Sequence, residues 1–185
     1  VIASGSSGNS TMINDGITAL LLDAGISFKD LQTGTGFGLS SVAGCLITHA
    51  HKDHSRACTD LAKRGIPIYS GQGTFDKIGV AGHNFRAVKA MDNFTLGTFV
   101  ITAFDTVHDV PDPLGFLMKS LYNGEKVLYF VDTAYVKYKF EGLTHIIAEC
   151  NHGNAELRKS VSEGIIDLEL AKRITRNHLS VERLT

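Results

Sequence analysis

The chain has 185 residues, 43% hydrophobic and 20% charged, a balance that excludes a disordered segment and fits one globular domain over 1–185, open to trimming at both ends. Lys and Arg number 18 and Asp and Glu 19, so the net charge of −1 excludes coating of nucleic acid or membrane by bulk charge while permitting a local basic patch. Three Cys do not make a disulfide framework, no apolar run approaches the ~20 residues of a membrane helix, and no basic-then-apolar leader is visible, so the expectation is a cytoplasmic protein without a membrane partner, its oligomeric state open.

Short apolar runs alternate with glycine-marked turns, without repeats or long linkers. Val1–Ala3 reads as a strand leading into the small-residue loop Ser4–Ser10. Ile17–Asp23 and Ala43–Thr48 read as strands, the second ending at a His cluster. Ser55–Arg64 has helical spacing and stops at Gly65. A short strand at Ile66–Tyr69, one or two helical turns at Thr74–Ile78 and an alternating strand at Thr98–Phe104 follow. Gly115–Tyr122 and Lys126–Val131 flank Asn123-Gly124, a hairpin signal because both residues accept positive φ. His145–Glu149 reads as a buried strand, and Asn154–Ser160 and Asp167–Arg176 as helices. Strands ending in polar clusters point to a layered α/β fold with its site along one sheet edge.

The chemistry concentrates in His49-Ala50-His51-Lys52-Asp53-His54. In extended backbone, residues two apart point the same way, so His49 and His51 can grip one metal together. Asp53 and His54 face a neighbouring position as the chain turns into its helix. Four ligand-type side chains within six residues are hard to explain as a solvated loop. His108, Asp132 and His178 each follow a predicted strand or helix; together with the cluster they give five His and two Asp, enough for two metals.

In order and context, His49-x-His51-x-Asp53-His54, His108, Asp132 in Val131-Asp132-Thr133, and His178 in Asn177-His178-Leu179-Ser180 resemble the metallo-β-lactamase superfamily. The Ser4–Ser10 loop, Leu21-Leu22-Asp23-Ala24-Gly25, Val107-His108-Asp109 with Asp112–Phe116, and Glu149-Cys150-Asn151-His152 are similar to a bacterial single-domain branch of DNA exonucleases linked to the cell-wall two-component system, and to its phage-borne relatives. The resemblance spans nearly the whole chain. It implies an αβ/βα four-layer sandwich of two mixed β-sheets with outer helices and a dinuclear site at one edge. It further implies that His49, His51 and His108 hold one ion, that Asp53, His54 and His178 hold the other, and that Asp132 bridges them. A carboxylate at the bridge, where several true β-lactamases carry Cys, disfavours antibiotic hydrolysis. The lack of a long insertion disfavours the large RNA-processing endonucleases of the superfamily.

All seven ligands are N or O, so the expected cofactor is two divalent ions, zinc first and manganese or iron(II) as alternatives. Such a pair lowers the pKa of a shared water towards neutrality, so that hydroxide attacks phosphorus or a carbonyl, with Asp53 orienting it or accepting its proton. The function expected is a metal-dependent hydrolase of phosphodiesters, its substrate nucleic acid or a small phosphodiester and its action exonuclease-like. A thioester or lactone hydrolase is the alternative. Redox di-iron relatives replace the second His of the cluster with Glu, and His51 is intact; the complete ligand set argues against a silent interaction domain.

Further residues carry two readings each. Asp23 is a partner for a ligand imidazole or a turn residue. Ser6, Ser7 and Asn9 are phosphate donors or parts of a tight turn around Gly5 and Gly8. His152 approaches the leaving group or sits on the surface. Lys172, Arg173 and Arg176 contact a nucleic-acid backbone, with Lys172 and Arg176 on one helical face, or form a solvated face.

Overall fold

The computed structural model describes residues 1–184. Among these, two five-stranded sheets form. In the first, β1 (Thr11–Asn14), β2 (Ala19–Leu22), β3 (Val42–Leu46), β4 (Ile68–Ser70) and β5 (Phe85–Ala87) lie in chain order, the first pair antiparallel and the rest parallel. In the second, β6 (Asn93–Leu96), β7 (Phe99–Asp105), β8 (Leu114–Ser120) and β9 (Lys126–Phe130) pair antiparallel, and β10 (His145–Ala148) joins β9 in parallel. Both sheets are therefore mixed, as the resemblance implies.

Period-two alternation builds the layers. Leu20 and Leu22 of β2 and Leu46 of β3 meet Phe99, Ile101 and Ala103 of β7 and Phe116 and Met118 of β8 between the sheets. Ala19 and Leu21 point the other way, against Leu31 of α1 (Phe28–Gly34), Cys58 and Leu61 of α3 (Cys58–Ala62) and Phe75 of α4 (Gln72–Ile78). With both faces covered, β2 reads as a continuous apolar run, the pattern of an inner strand. The far face of the second sheet, with Phe104, Leu128 and Phe130, is covered by Tyr138 and Phe140 of the connection to β10 and by Leu179. Each such Leu or Phe contributes about 1.5–3 kcal/mol on full burial. No helix among the described residues is long and apolar enough to cross a membrane.

Several elements differ from expectation. Val1–Ala3 forms only an isolated bridge, Ala3 to Ser10. The helix expected over Ser55–Arg64 is the shorter α3, preceded by a separate turn of helix, α2 (Lys52–Ser55). Its i→i−4 ladder is intercepted: the Asp53 carbonyl accepts from the Asn9 amide (2.7 Å), and the Ala57 amide donates to Ala24 (2.8 Å). The approach requires Gly25, where a Cβ would collide with the Asp53 carbonyl. α1 has no counterpart among the expected elements, though Ser27 caps it: its hydroxyl accepts from the Asp30 amide and donates to the Asp30 carboxylate (3.1 and 2.6 Å). The helices near the C-terminus, α5 (Asn154–Ser162) and α6 (Leu168–Asn177), lie where expected, and Asp167 caps α6 by accepting from the Leu170 amide (2.7 Å).

At the sheet ends remote from the His cluster, Asp15 fastens the two sheets. Its Oδ1 accepts from the amides of Ile17 and Thr18 (3.0 and 2.9 Å), and its Oδ2 accepts from Thr98 Oγ1 and Ser120 Oγ (2.5 and 2.6 Å). Burial acts to raise its pKa, but these hydrogen bonds, Ser120 foremost, outweigh burial and hold the carboxyl well below the usual carboxylate range. A depressed folded pKa means that the contribution to stability is full above the unfolded value of about 4 and is lost as pH falls through the folded one. Asp15→Asn should lower the unfolding midpoint by roughly 3–8 °C at pH 7. The gap to wild type should narrow below about pH 4. Scanning calorimetry across pH measures both, and equal midpoints at pH 7 would remove Asp15 from this role.

Candidate metal centre

Beyond β3 the chain leaves the sheet through Thr48, and the next six residues carry the His cluster. Its position is set by Asp23, which follows β2 with no solvent exposure and a φ of 55°. Asp23 Oδ1 accepts from the Thr48 amide (2.8 Å), the Thr48 hydroxyl lies 3.0 Å from both carboxylate oxygens, and Oδ2 accepts from His54 Nδ1 and from the Tyr129 hydroxyl (both 2.7 Å). The Thr48 hydroxyl, donating to Asp23, accepts from His49 Nδ1 at 3.0 Å. These partners place a ring proton of His49 and of His54 on Nδ1 and turn both Nε2 atoms towards the site.

The other sheet supplies the rest. His108 follows β7, Asp132 follows β9 with a φ of 47°, and His178 caps the C-terminus of α6. His49, His51, His108 and Asp132 each offer one ligand atom, all within 4.8 Å of one another, and Asp132, Glu149 and His178 form a second such group. Asp132 belongs to both: Oδ2 is 3.3 Å from His49 Nε2 and 3.0 Å from His54 Nε2, and Oδ1 is 3.3 Å from His178 Nδ1. Asp53 Oδ2 lies 3.5 Å from His54 Nε2.

The residues fit divalent cations. His51 Nδ1 lies 3.0 Å from His49 Nε2 and 3.3 Å from His108 Nε2, an arrangement of converging imidazole nitrogens that a shared proton satisfies only in part. Burial, then His49, lowers His51 and brings His108 down to about 4, so this side excludes protons. On the other side, burial of His54 is outweighed by Asp23 and by hydrogen bonds with Asp132, Asp23 and Asp53, which push it up to about 12. Hydrogen bonds with Asp132 and Glu149 push His178 up to about 9. Burial of Asp132 is likewise outweighed by hydrogen bonds from His178, His49 and His54, which hold it far below the usual range. A cluster that rejects protons on one side and calls for positive charge on the other suits metal ions, and its all-N/O donors suit zinc, manganese or iron(II).

The centre lies in a cavity of about 910 Å³. Ser6 and Asn9 line it, and Asn9 Nδ2 comes within 3.2 Å of His54 Nε2 while its side chain pins both the amide and the carbonyl of Gly5. Ser7 lines a neighbouring cavity instead, and His152 is not part of the wall; its Nδ1 bonds Asn151 Oδ1 (2.9 Å). Lys172 and Arg176 line a separate apolar groove between α5 and α6, and Lys172 pairs with Glu169 at 2.8 Å. The face of α6 towards the cavity carries Arg173 and Asn177, four residues apart, with Asn177 Nδ2 donating to Asp109 Oδ2 (3.3 Å).

Glu149 is the residue sequence reasoning left without a role. Its Oε2 accepts from the Asp132 amide (3.1 Å) and lies 2.9 Å from His178 Nδ1. The signal is one of register: Ala148 pairs with Phe130 in the parallel β9–β10 ladder, so the residue after β10 comes beside the turn that carries Asp132.

Against known proteins, the profile of the Beta-lactamase superfamily domain matches residues 18–153. The chain is 28% identical over 171 residues to the exodeoxyribonuclease YycJ of Bacillus anthracis, and 28% identical over 173 residues to the exodeoxyribonuclease WalJ of Streptococcus pneumoniae, in each case covering 85% of this chain. It spans 64% of the length of each of these relatives. Among solved structures, the metallo-β-lactamase fold protein YhfI from Bacillus subtilis superposes with a TM-score of 0.71 at 19% identity, over 98% of this chain and 73% of that one. With its two mixed sheets, its His and Asp cluster and this match over most of its length, the chain belongs to the beta-lactamase superfamily.

Proposed function

We propose that this chain is a metal-dependent phosphodiesterase acting on nucleic acid from strand ends, with two divalent ions held by His49, His51 and His108 on one side, Asp53, His54 and His178 on the other, and Asp132 between them. The observation that carries the proposal is the charge of the cavity. Asp53, Asp109, Asp132 and Glu149 line it, balanced in part by Arg173 and by the imidazoles of His54 and His178, so the protein alone offers no excess of positive charge to draw a phosphodiester, and two divalent ions supply it. The exodeoxyribonuclease relatives support the same substrate class.

When bound, the ions supply Lewis acidity and a water of lowered pKa. The chain's own residues do the rest. Asp132 compensates charge on both sides, Glu149 fixes its backbone and the His178 ring, and Asp53, with a third of its side chain exposed, takes up a proton at the cavity floor. Arg173 and Asn177 on one wall and Ser6 on another hold the phosphate next to the scissile one.

Calorimetric titration with zinc or manganese, checked by elemental analysis, should give two ions per chain. Asp132→Ala should weaken both, whereas Glu149→Gln should weaken chiefly the ion on the His178 side, by about 10–100-fold. Saturation at one ion in the wild type would contradict the dinuclear assignment.

Activity should appear in a metal-reconstituted screen of single- and double-stranded oligonucleotides and bis-p-nitrophenyl phosphate. Arg173→Ala should raise KM for oligonucleotides by roughly fivefold, as expected for one lost exposed phosphate contact. The pair Lys172→Ala/Arg176→Ala, facing α5, should leave it unchanged. Efficient turnover of a thioester or lactone, with oligonucleotides untouched under every metal, would overturn the phosphodiesterase reading.

A further inference from the structure

A second cavity, of about 470 Å³, opens beside the first. Ser6 and Asp53 line both, so the two spaces meet at the ligand loop. Their linings differ in charge, the first holding four carboxylates. The second is lined by the cations Lys52 and Arg56, and its only carboxylate among the described residues is that of Asp53, which faces His54. Lys52 and Arg56 stand four residues apart at the two ends of α2, on one side of it, and both are exposed. Neither forms an ion pair among the described residues, whereas Arg64, Lys137, Lys159 and Lys172 each sit beside an acid.

Hydroxyls and amides complete the lining. The Gly5–Gly8 turn is closed by the Gly8 amide donating to the Gly5 carbonyl (3.0 Å). That leaves the amides and hydroxyls of Ser6 and Ser7 without an acceptor among the described residues, and the Thr59 hydroxyl is likewise unengaged. Two unpaired cations with adjacent amide and hydroxyl donors are what a phosphate backbone requires. Unlike the metal cavity, this one needs no ion to attract an anion.

We propose that the second cavity holds backbone phosphates of a nucleic-acid strand whose scissile phosphate lies in the first, the strand passing over Ser6 from one to the other. The proposal rests on the phosphodiesterase reading and adds to it a direction for the strand and a reason for preferring polymers over single phosphodiesters. A small phosphodiester fits within the metal cavity and never reaches Lys52 or Arg56.

The test is binding of a fluorescein-labelled, phosphorothioate-linked dT12, which resists cleavage, to the metal-loaded chain by anisotropy across a salt series. K52Q/R56Q should weaken binding roughly tenfold. It should also flatten the slope of log K against log salt by ~1.4, since each lost single-strand phosphate contact removes ~0.7. R56Q alone, which leaves the residue between His51 and Asp53 untouched, should give about half that change in slope, and R56K should restore it. Affinity and slope equal to wild type in folded K52Q/R56Q would overturn the proposal. Cleavage of unmodified dT12 by the wild type is read separately: its absence defeats the phosphodiesterase reading, while the binding series still decides whether this cavity takes a strand.

Discussion

One buried carboxylate sets the geometry of the centre. A carboxylate with no solvent exposure is costly unless its oxygens are satisfied, and Asp23 meets that condition with donors from three places: the Thr48 amide and hydroxyl, the His54 ring and the Tyr129 hydroxyl. Each donor lies next to something the site needs. Thr48 precedes His49 and orients its ring, His54 is bound directly, and Tyr129 lies three residues before Asp132 on β9. Asp23 thereby orients the rings of His49 and His54 beyond the first sheet and anchors the strand that leads to Asp132 in the second.

The centre is consequently a joint between the sheets. His49, His51, Asp53 and His54 come from the end of β3, His108 and Asp132 from the ends of β7 and β9, and His178 from the end of α6. Neither sheet alone assembles it. Asp15 fastens the same two sheets at the opposite end through Thr98 and Ser120, so carboxylates clamp the sandwich at both ends and the apolar interior lies between them. Charged groups are then divided between the cavities: the carboxylates line the metal cavity, Lys52 and Arg56 the one beside it, and Arg173 the far wall of the first.

Much of this was legible in the sequence. The spacing of His49, His51, Asp53 and His54 carries its own chemistry because adjacent ligand-type side chains need no tertiary information, and apolar runs placed most strands of both sheets, though not β1, β5 or β6. What depended on contacts between distant segments was not legible. The break between α2 and α3 arises because Asn9 and Ala24 intercept backbone bonds of a segment that scores as helical in isolation. Glu149 acquires a role through a parallel register that nothing local encodes. Along α6, spacing alone put Lys172 and Arg176 on one face, and only the packing against α5 shows that the face towards the metal cavity is that of Arg173 and Asn177.

The most direct test of this account is metal affinity in Asp23→Asn, measured by calorimetric titration on protein whose fold is verified by circular dichroism. The amide keeps the shape but offers one oxygen where there were two, and turns an N–H₂ towards the Tyr129 hydroxyl or the His54 ring. With the tautomers of His49 and His54 no longer fixed, affinity for both ions should fall about 10–100-fold, the size of effect seen when a partner of a ligand imidazole is removed. Wild-type affinity for both ions in a folded Asp23→Asn variant would contradict the account.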